Sequence, residues 1–177
     1  MTGGVALVGL RLFFVDVHFI PQNGMYPTFP RGTYVVTARR PYERIEQVSR
    51  GDVVVFVQIQ DSARYLYIWR VVGLPGDRIV TTGDSLIVND ESIAREMVRE
   101  ENGMSVHIER ADGVSHMVAI ARVPENVPPD LAVEVGGDQL FVMGDNRFNA
   151  YDSRFLGTIP FSAVVGKVIW PRPRVTD

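Results

Sequence analysis

The chain has 177 residues, a formal net charge of -3, 46% apolar and 22% charged residues. That length suits one hydrophobic core with a modest inserted lobe, and the composition belongs to a folded chain rather than a disordered one. The net charge of -3 gives no electrostatic footprint for nucleic acid, the spread of the acidic residues leaves no acidic tail, and the absence of cysteine removes thiol catalysis, thiolate metal sites and disulfides together.

In chain order, GGVALVGLRLFFV (3–15) comes first, apolar apart from Arg11. It is too short for a span of about 20 apolar residues and lacks the basic start and cleavage pattern of a removable signal. Residues 1–15 read as an anchor remnant or as a first segment buried or lying in a membrane. Either way they are expected to attach the chain to a membrane surface or a partner outside the cytoplasm, on the periplasmic or outer side of the plasma membrane. IPQNGMYPTFPRG (20–32) follows, rigid before and after Gly24 and so built to present a residue that has no side chain. Strands are predicted over GTYVVTAR (32–39), DVVVFVQI (52–59) and RYLYIWRVV (64–72), the last closing on a GLPGD corner (73–77), with RIV (78–80) opening another.

Residues 81–138 are more charged and loop-like, and are predicted to form a β-rich cap lobe inserted into a core made of 16–80 and 139–177. Within the lobe, ESIAREMVREE (91–101) reads as a short helix or a polar arm, and ENVPPD (125–130) as a connector. QLFVMGD (139–145) and AVVGKVIWP (163–171) complete the strands, separated by MGDNRFNAYDSRFLG (143–157). The fold class is therefore mainly β: an antiparallel core of two packed β regions with an inserted cap. His18, His107 and His116 are far apart and show no ligand spacing, so neither a metal nor a cofactor is expected.

Three stretches, 20–32, 67–77 and 143–157, combine conformational corners with fixed charge, and together they resemble bacterial type I signal peptidase, a membrane-bound serine–lysine protease. The resemblance runs from about residue 12 to 171. It implies the signal-peptidase-like β fold and three motifs. In Pro-x-x-Ser-Met-x-Pro-Thr the serine nucleophile falls on Gly24, with Pro21, Met25, Pro27 and Thr28 retained. In Lys-Arg-Val-x-Gly-x-Pro-Gly-Asp the lysine base falls on Trp69, with Arg70, Val71, Gly73, Pro75, Gly76 and Asp77 retained. In Gly-Asp-Asn-Arg-x-x-Ser-x-Asp-Ser-Arg the serine that orients the lysine falls on Ala150, with Gly144, Asp145, Asn146, Arg147, Asp152, Ser153 and Arg154 retained. Gln22 falls where some members place an oxyanion-hole hydroxyl. The resemblance also implies that Asp145 pairs with Arg70 and Asp152 with Arg154, as structural braces.

Serine–lysine chemistry needs a hydroxyl, a neutral amine beside it and a group that fixes the amine. Glycine, tryptophan and alanine supply none of these. Lys167 is the only lysine in the chain and reads as a solvent-facing strand residue; Thr28 and Ser153 read as structural. His18 lies two residues after Asp16, so a His–Asp pair is conceivable, although a rim histidine is the plainer reading. Trp69 is expected to lie over Gly24 with its indole N–H on a carbonyl, the alternative being an outward turn toward membrane or partner. Substrate in the resembling enzymes adds as a strand between the segments matching 18–23 and 65–69 here. An extended peptide or membrane-protein partner is thus expected at His18, Ile20, Pro21, Gln22, Asn23, Met25, Tyr65, Tyr67 and Ile68. The function expected is a catalytically silent peptide-binding protein. The alternatives are an active signal peptidase using other residues and a structural subunit of an envelope complex.

Overall fold

The computed structural model describes residues 14–172; residues 1–13, most of the apolar N-terminal segment, lie outside the described residues. Fourteen strands follow in chain order. The first seven are β1 (Val15–Phe19), β2 (Tyr34–Arg39), β3 (Val53–Gln60), β4 (Ala63–Gly73), β5 (Arg78–Thr82), β6 (Ser85–Val88) and β7 (Glu91–Ser92). The others are β8 (Ala94–Glu101), β9 (Met104–Ala111), β10 (Val114–Ala121), β11 (Leu131–Glu134), β12 (Gln139–Met143), β13 (Ile159–Pro160) and β14 (Val164–Trp170). A single turn of α-helix, α1 (Ser153–Leu156), stands between β12 and β13.

These strands form three antiparallel sheets. The largest has seven strands in the order β1-β2-β14-β3-β4-β12-β13; a four-stranded sheet runs β11-β5-β6-β7 and a three-stranded sheet β10-β9-β8. In β2 the alternation is plain: Val35 and Thr37 point inward while Tyr34 is exposed. The continuous run Val53–Phe56 of β3 is buried on both faces. Its hairpin partner β4 is exposed over its first four residues and buried from Trp69 onward, so the tip of the β3–β4 hairpin stands clear of the core. Asp61 and Ser62 close that hairpin with φ of 49° and 64°, the left-handed pair that a two-residue turn matched to strand twist requires.

Two apolar clusters hold the molecule together. The first contains Ile20, Met25, Phe29, Val53, Phe56, Trp69, Val71, Leu140, Val142, Ala150 and Val168 and lies under the large sheet. The second joins Ile79, Leu86, Val88 and Val135 to Val72, Phe141 and Met143, so it continues from the ends of β4 and β12. The four-stranded sheet begins at Arg78, and the expected division at residue 81 runs through β5.

The helix or arm expected over 91–101 is instead β7 and β8, and that expectation is corrected. The cause is turn chemistry downstream: Asn102-Gly103 (φ 52° and 74°) joins β8 to β9, and Asp112-Gly113 (φ 50° and 72°) joins β9 to β10. Both dipeptides are strong hairpin signals, and three strands zipped by them override the weak helical pattern of ESIAREMVREE.

Candidate functional site

The segment after β1 crosses the end of the large sheet as a tight loop. Ile20 N–H donates to the Thr33 carbonyl at 2.9 Å and Gly32 N–H to the Ile20 carbonyl at 2.8 Å, which pins both ends of the loop. Inside it Tyr26 N–H donates to Asn23 O (3.0 Å) and Phe29 N–H to Met25 O (2.8 Å), while Met25 and Phe29 drive their side chains into the core. Gly24 is thereby held at the surface of that core, and its carbonyl accepts from Asn146 N–H at 3.0 Å.

Trp69, from β4, lies against this point. A Cβ placed on Gly24 would sit 2.6 Å from Trp69 Cζ3 and closer still to Cη2, with the Asn149 carbonyl at 3.2 Å. No side chain fits at residue 24 while the indole stays where it is. Trp69 is 6% exposed, and its Nε1–H donates to the Tyr151 carbonyl at 3.2 Å, so the polar edge of the buried ring is satisfied. Tyr67 packs beside it, ring centroids 6.2 Å apart. Gly144 completes the packing: a Cβ there would lie 2.6 Å from the Gly24 carbonyl oxygen and closer still to Ala150 Cβ. Residues 24, 69, 144 and 150 thus form one apolar contact, without a hydroxyl, amine or carboxylate among their side chains.

Buried ion pairs surround that contact. Arg70 Nε and Nη2 donate to Asp145 Oδ1 and Oδ2 at 2.8 and 2.6 Å, both residues 1% exposed, and Thr28 Oγ1 donates to Asp145 Oδ2 at 2.5 Å. Asp152 accepts from Arg154 Nε and Nη2 at 2.9 and 2.8 Å and from Gly144 N–H at 2.9 Å, tying α1 to the turn that carries Gly144. Ser153 Oγ accepts from Val142 N–H at 2.9 Å. Arg147 does not pair within its own motif. It reaches Glu109 of β9 through both terminal nitrogens, Nη1 at 2.7 Å, and Arg95 Nε approaches the same carboxylate at 2.6 Å. Burial opposes ionisation of Glu109, but Arg147, His116 and Arg95 together hold its carboxyl well below the ordinary range. Glu109 escaped sequence reasoning because it lies three residues from the buried Val106, out of step with simple strand alternation.

Beside Trp69 a groove of about 410 Å³ opens between two strand edges. One wall is β1 and the chain just after it, with His18, Ile20, Pro21 and Gln22; the other is β4, with Tyr65, Tyr67 and Ile68, and Met25 and Gly24 reach its floor. Val17, Phe19 and Leu66 also line it. β1 is the edge of the large sheet, and residues 63–69 of β4 pair only with β3, so among the described residues both edges lack a strand neighbour. Asn23 is not in this groove: its Oδ1 accepts from Arg31 N–H at 2.9 Å, and the residue faces a second depression.

One pairing that the sequence left open is absent, and one expectation is corrected. His18 does not pair with Asp16: its Nε2 lies 3.1 Å from Thr37 Oγ1, while Asp16 pairs with Arg39 at 3.1 Å. Lys167 is not simply solvent-facing, since its Nζ binds the buried Asp52 at 2.8 Å and sits 5.5 Å from the Tyr42 ring centre. Among the described residues no cluster of His, Cys, Asp or Glu could hold a metal ion, and no helix is long and apolar enough to cross a membrane.

Comparison with known proteins bears on this geometry. The family described as signal peptidase, peptidase S26, matches residues 1–172, nearly the full chain. The chain belongs to that family. Signal peptidase I of Pseudomonas aeruginosa is 31% identical over 199 residues, covering 95% of this chain and 70% of that protein. Signal peptidase I of Leptolyngbya laminosa is 29% identical over 182 residues, covering 98% and 77%. A crystal structure of a signal peptidase I from Enterococcus faecalis aligns with a TM-score of 0.42 at 23% identity, over 70% of this chain and 98% of that one.

Proposed function

We propose that this signal-peptidase-like protein no longer cleaves peptides and uses the former substrate groove to bind an extended peptide or a partner chain at a membrane surface. One observation carries the reading. Trp69 fills the space that any side chain on residue 24 would need, so the family's nucleophile position is closed as well as empty. The remaining candidates for the chemistry are already engaged. Thr28 donates to Asp145, Ser153 braces β12, and the only lysine of the chain, Lys167, is held by Asp52.

Binding needs neither hydroxyl nor amine. Two unpaired strand edges flanking a groove offer main-chain donors and acceptors to an added strand, and the apolar walls supply side-chain contacts. The membrane-surface part of the proposal is supported by the exposed Phe14, Val17 and Phe19 of the N-terminal edge and Ile59, Tyr65 and Leu66 of the β3–β4 hairpin. Four of them, Val17, Phe19, Tyr65 and Leu66, line the groove itself, an apolar rim that is unusual for a protein surface facing only water.

The test is incubation with a preprotein or signal peptide, read by mass spectrometry of the products and by a binding isotherm. The expected result is retention without cleavage. Cleavage after a small residue, abolished by changing one residue of this chain, would overturn the reading and name the nucleophile. The Gly24→Ser change alone should leave the protein inert. The combined Gly24→Ser, Trp69→Lys and Ala150→Ser changes restore a hydroxyl, an amine and an orienting group together.

A further inference from the structure

The three-stranded sheet ends on β8, and that edge is open: among the described residues β8 pairs with β9 and no strand lies beyond it. Its central run, REMVRE from Arg95 to Glu100, is mostly exposed, including the large apolar pair Met97 and Val98. The order of charge in this run is self-complementary. Laid antiparallel on a second copy, it sets Arg95 opposite Glu100, Glu96 opposite Arg99 and Met97 opposite Val98. Edge strands that stay single carry lysine, proline or inward charge, and a row of one sign repels its own copy; this row attracts it.

Matching charges must also share a face of the sheet. In a regular strand residues 96 and 99 point to opposite faces, and a two-fold axis normal to the sheet could not bring them together. The bulge in β8 removes that obstacle. Glu96 is opposite Ile108 and Arg99 opposite Val106, and those two positions of β9 lie on one face; Arg95 opposite Glu109 and Glu100 opposite Ser105 share the other. Both charged pairings are therefore allowed by the same axis.

We infer that two copies of this chain associate through β8 about a two-fold axis, joining their small sheets into one of six strands. The association is independent of what the groove binds. Glu96 against Arg99 is the pair that carries the specificity, because both side chains are exposed. Arg95 contributes less, being held by Glu109 and Asp84 at 2.6 and 3.0 Å. Within one chain Glu96 meets Arg110 at 2.9 Å and Arg99 meets Glu101 at 2.8 Å. A guanidinium has more donors, and a carboxylate more lone pairs, than one such contact uses, so each can take a second partner. One strand a side is a small interface, which makes the dimer weak and dependent on concentration.

The experiment is sedimentation equilibrium of the full chain over a concentration series. A monomer–dimer equilibrium is expected, weakened by added salt because exposed ion pairs are screened. Glu96→Arg and Arg99→Glu each place like charges opposite one another twice across the axis, and each is expected to weaken dimerisation about tenfold. An equal mixture of the two variants is expected to associate as well as the unmodified chain, since every 96–99 contact in the mixed pair again joins opposite charges. Because the chain has no cysteine, Met97→Cys and Val17→Cys each introduce one thiol, on β8 and on β1, the open edge of the large sheet. Oxidative cross-linking between copies is expected at 97 and not at 17. A chain that stays monomeric at every concentration overturns the inference and leaves the edge to a strand of another protein. A dimer indifferent to both reversals, losses that mixing does not restore, or cross-linking at 17 instead of 97 overturns it as well.

Discussion

Gly24 and Trp69 define each other. In most contexts a glycine exchanged for alanine at an ordinary backbone angle is harmless or mildly stabilising, because the unfolded chain loses freedom. Here Gly24→Ala should destabilise by about 1–3 kcal/mol, the usual range for forcing a carbon into packed space, because the new Cβ would overlap the indole. In a Trp69→Leu background that cost should largely vanish, and a denaturant-unfolding double-mutant cycle reads the coupling directly. Equal costs in both backgrounds would mean the indole swings aside freely. Asp145 is the other residue whose role is sharply testable. It is buried and receives two guanidinium hydrogen bonds and one from a hydroxyl, so Asp145→Ala breaks a desolvated ion pair and removes three hydrogen bonds at once. A loss of about 3–5 kcal/mol is expected in thermal or chemical unfolding.

At the scale of elements, the three-stranded sheet depends on two turns. Gly113 has φ +72° and open space where a Cβ would go, so Gly113→Ala isolates the backbone penalty from packing. A cost of about 1–2 kcal/mol is expected there. Gly137, with equal space and no left-handed φ, serves as the control, and Gly137→Ala should be neutral or stabilising by under about 1 kcal/mol. Five strands of the large sheet, β2, β3, β4, β12 and β14, were legible from β-branched and aromatic runs, alternating in β2 and continuous in β3, whereas β1 and β13 were not among the predicted strands. Nor was β8: most of its residues are exposed, so no apolar alternation marked it, and its pairing with β9 is decided by the Asn102-Gly103 turn.

Across the whole molecule, the β9–β10 hairpin is fastened to the third motif loop. Ala119 N–H donates to Asp145 O and Arg147 N–H to Ala119 O, both at 2.9 Å, and beneath them Glu109 holds Arg147 and Arg95 with His116 at 3.4 Å. His116 is held below its ordinary value, first by burial and then by the Arg70 charge, although Glu109 and Asp145 pull the other way. Both His116 and Glu109 therefore bind fewer protons in the folded state than in the unfolded chain, so both make stability fall as pH falls. The histidine contribution begins to be lost below about 6.5 and the carboxylate contribution below about 4.5, the ordinary values of the two groups. A melting temperature measured against pH should decline in those two stages. His116→Gln should flatten the upper one and leave the lower, and a profile unchanged by that substitution would remove the histidine from the account.

What the side chains at positions 24, 69 and 150 can offer was settled by their residue types alone. Side chains are covalent facts, and glycine, tryptophan and alanine at positions 24, 69 and 150 hold no hydroxyl or amine wherever they lie. The corner motifs, the β-rich character and the likeness to signal peptidase were equally legible, since they reside in short contiguous runs. Which groups meet was decided only in three dimensions. Whether Trp69 fills the gap over Gly24 or turns outward depends on a carbonyl at Tyr151, 82 residues away. The carboxylate that neutralises Arg147 comes from Glu109, 38 residues away on a strand whose burial pattern gave no hint of it. Desolvation is the physical reason: a buried charge or indole N–H must find a partner, but its residue type does not say which, and only the packed chain brings one within reach.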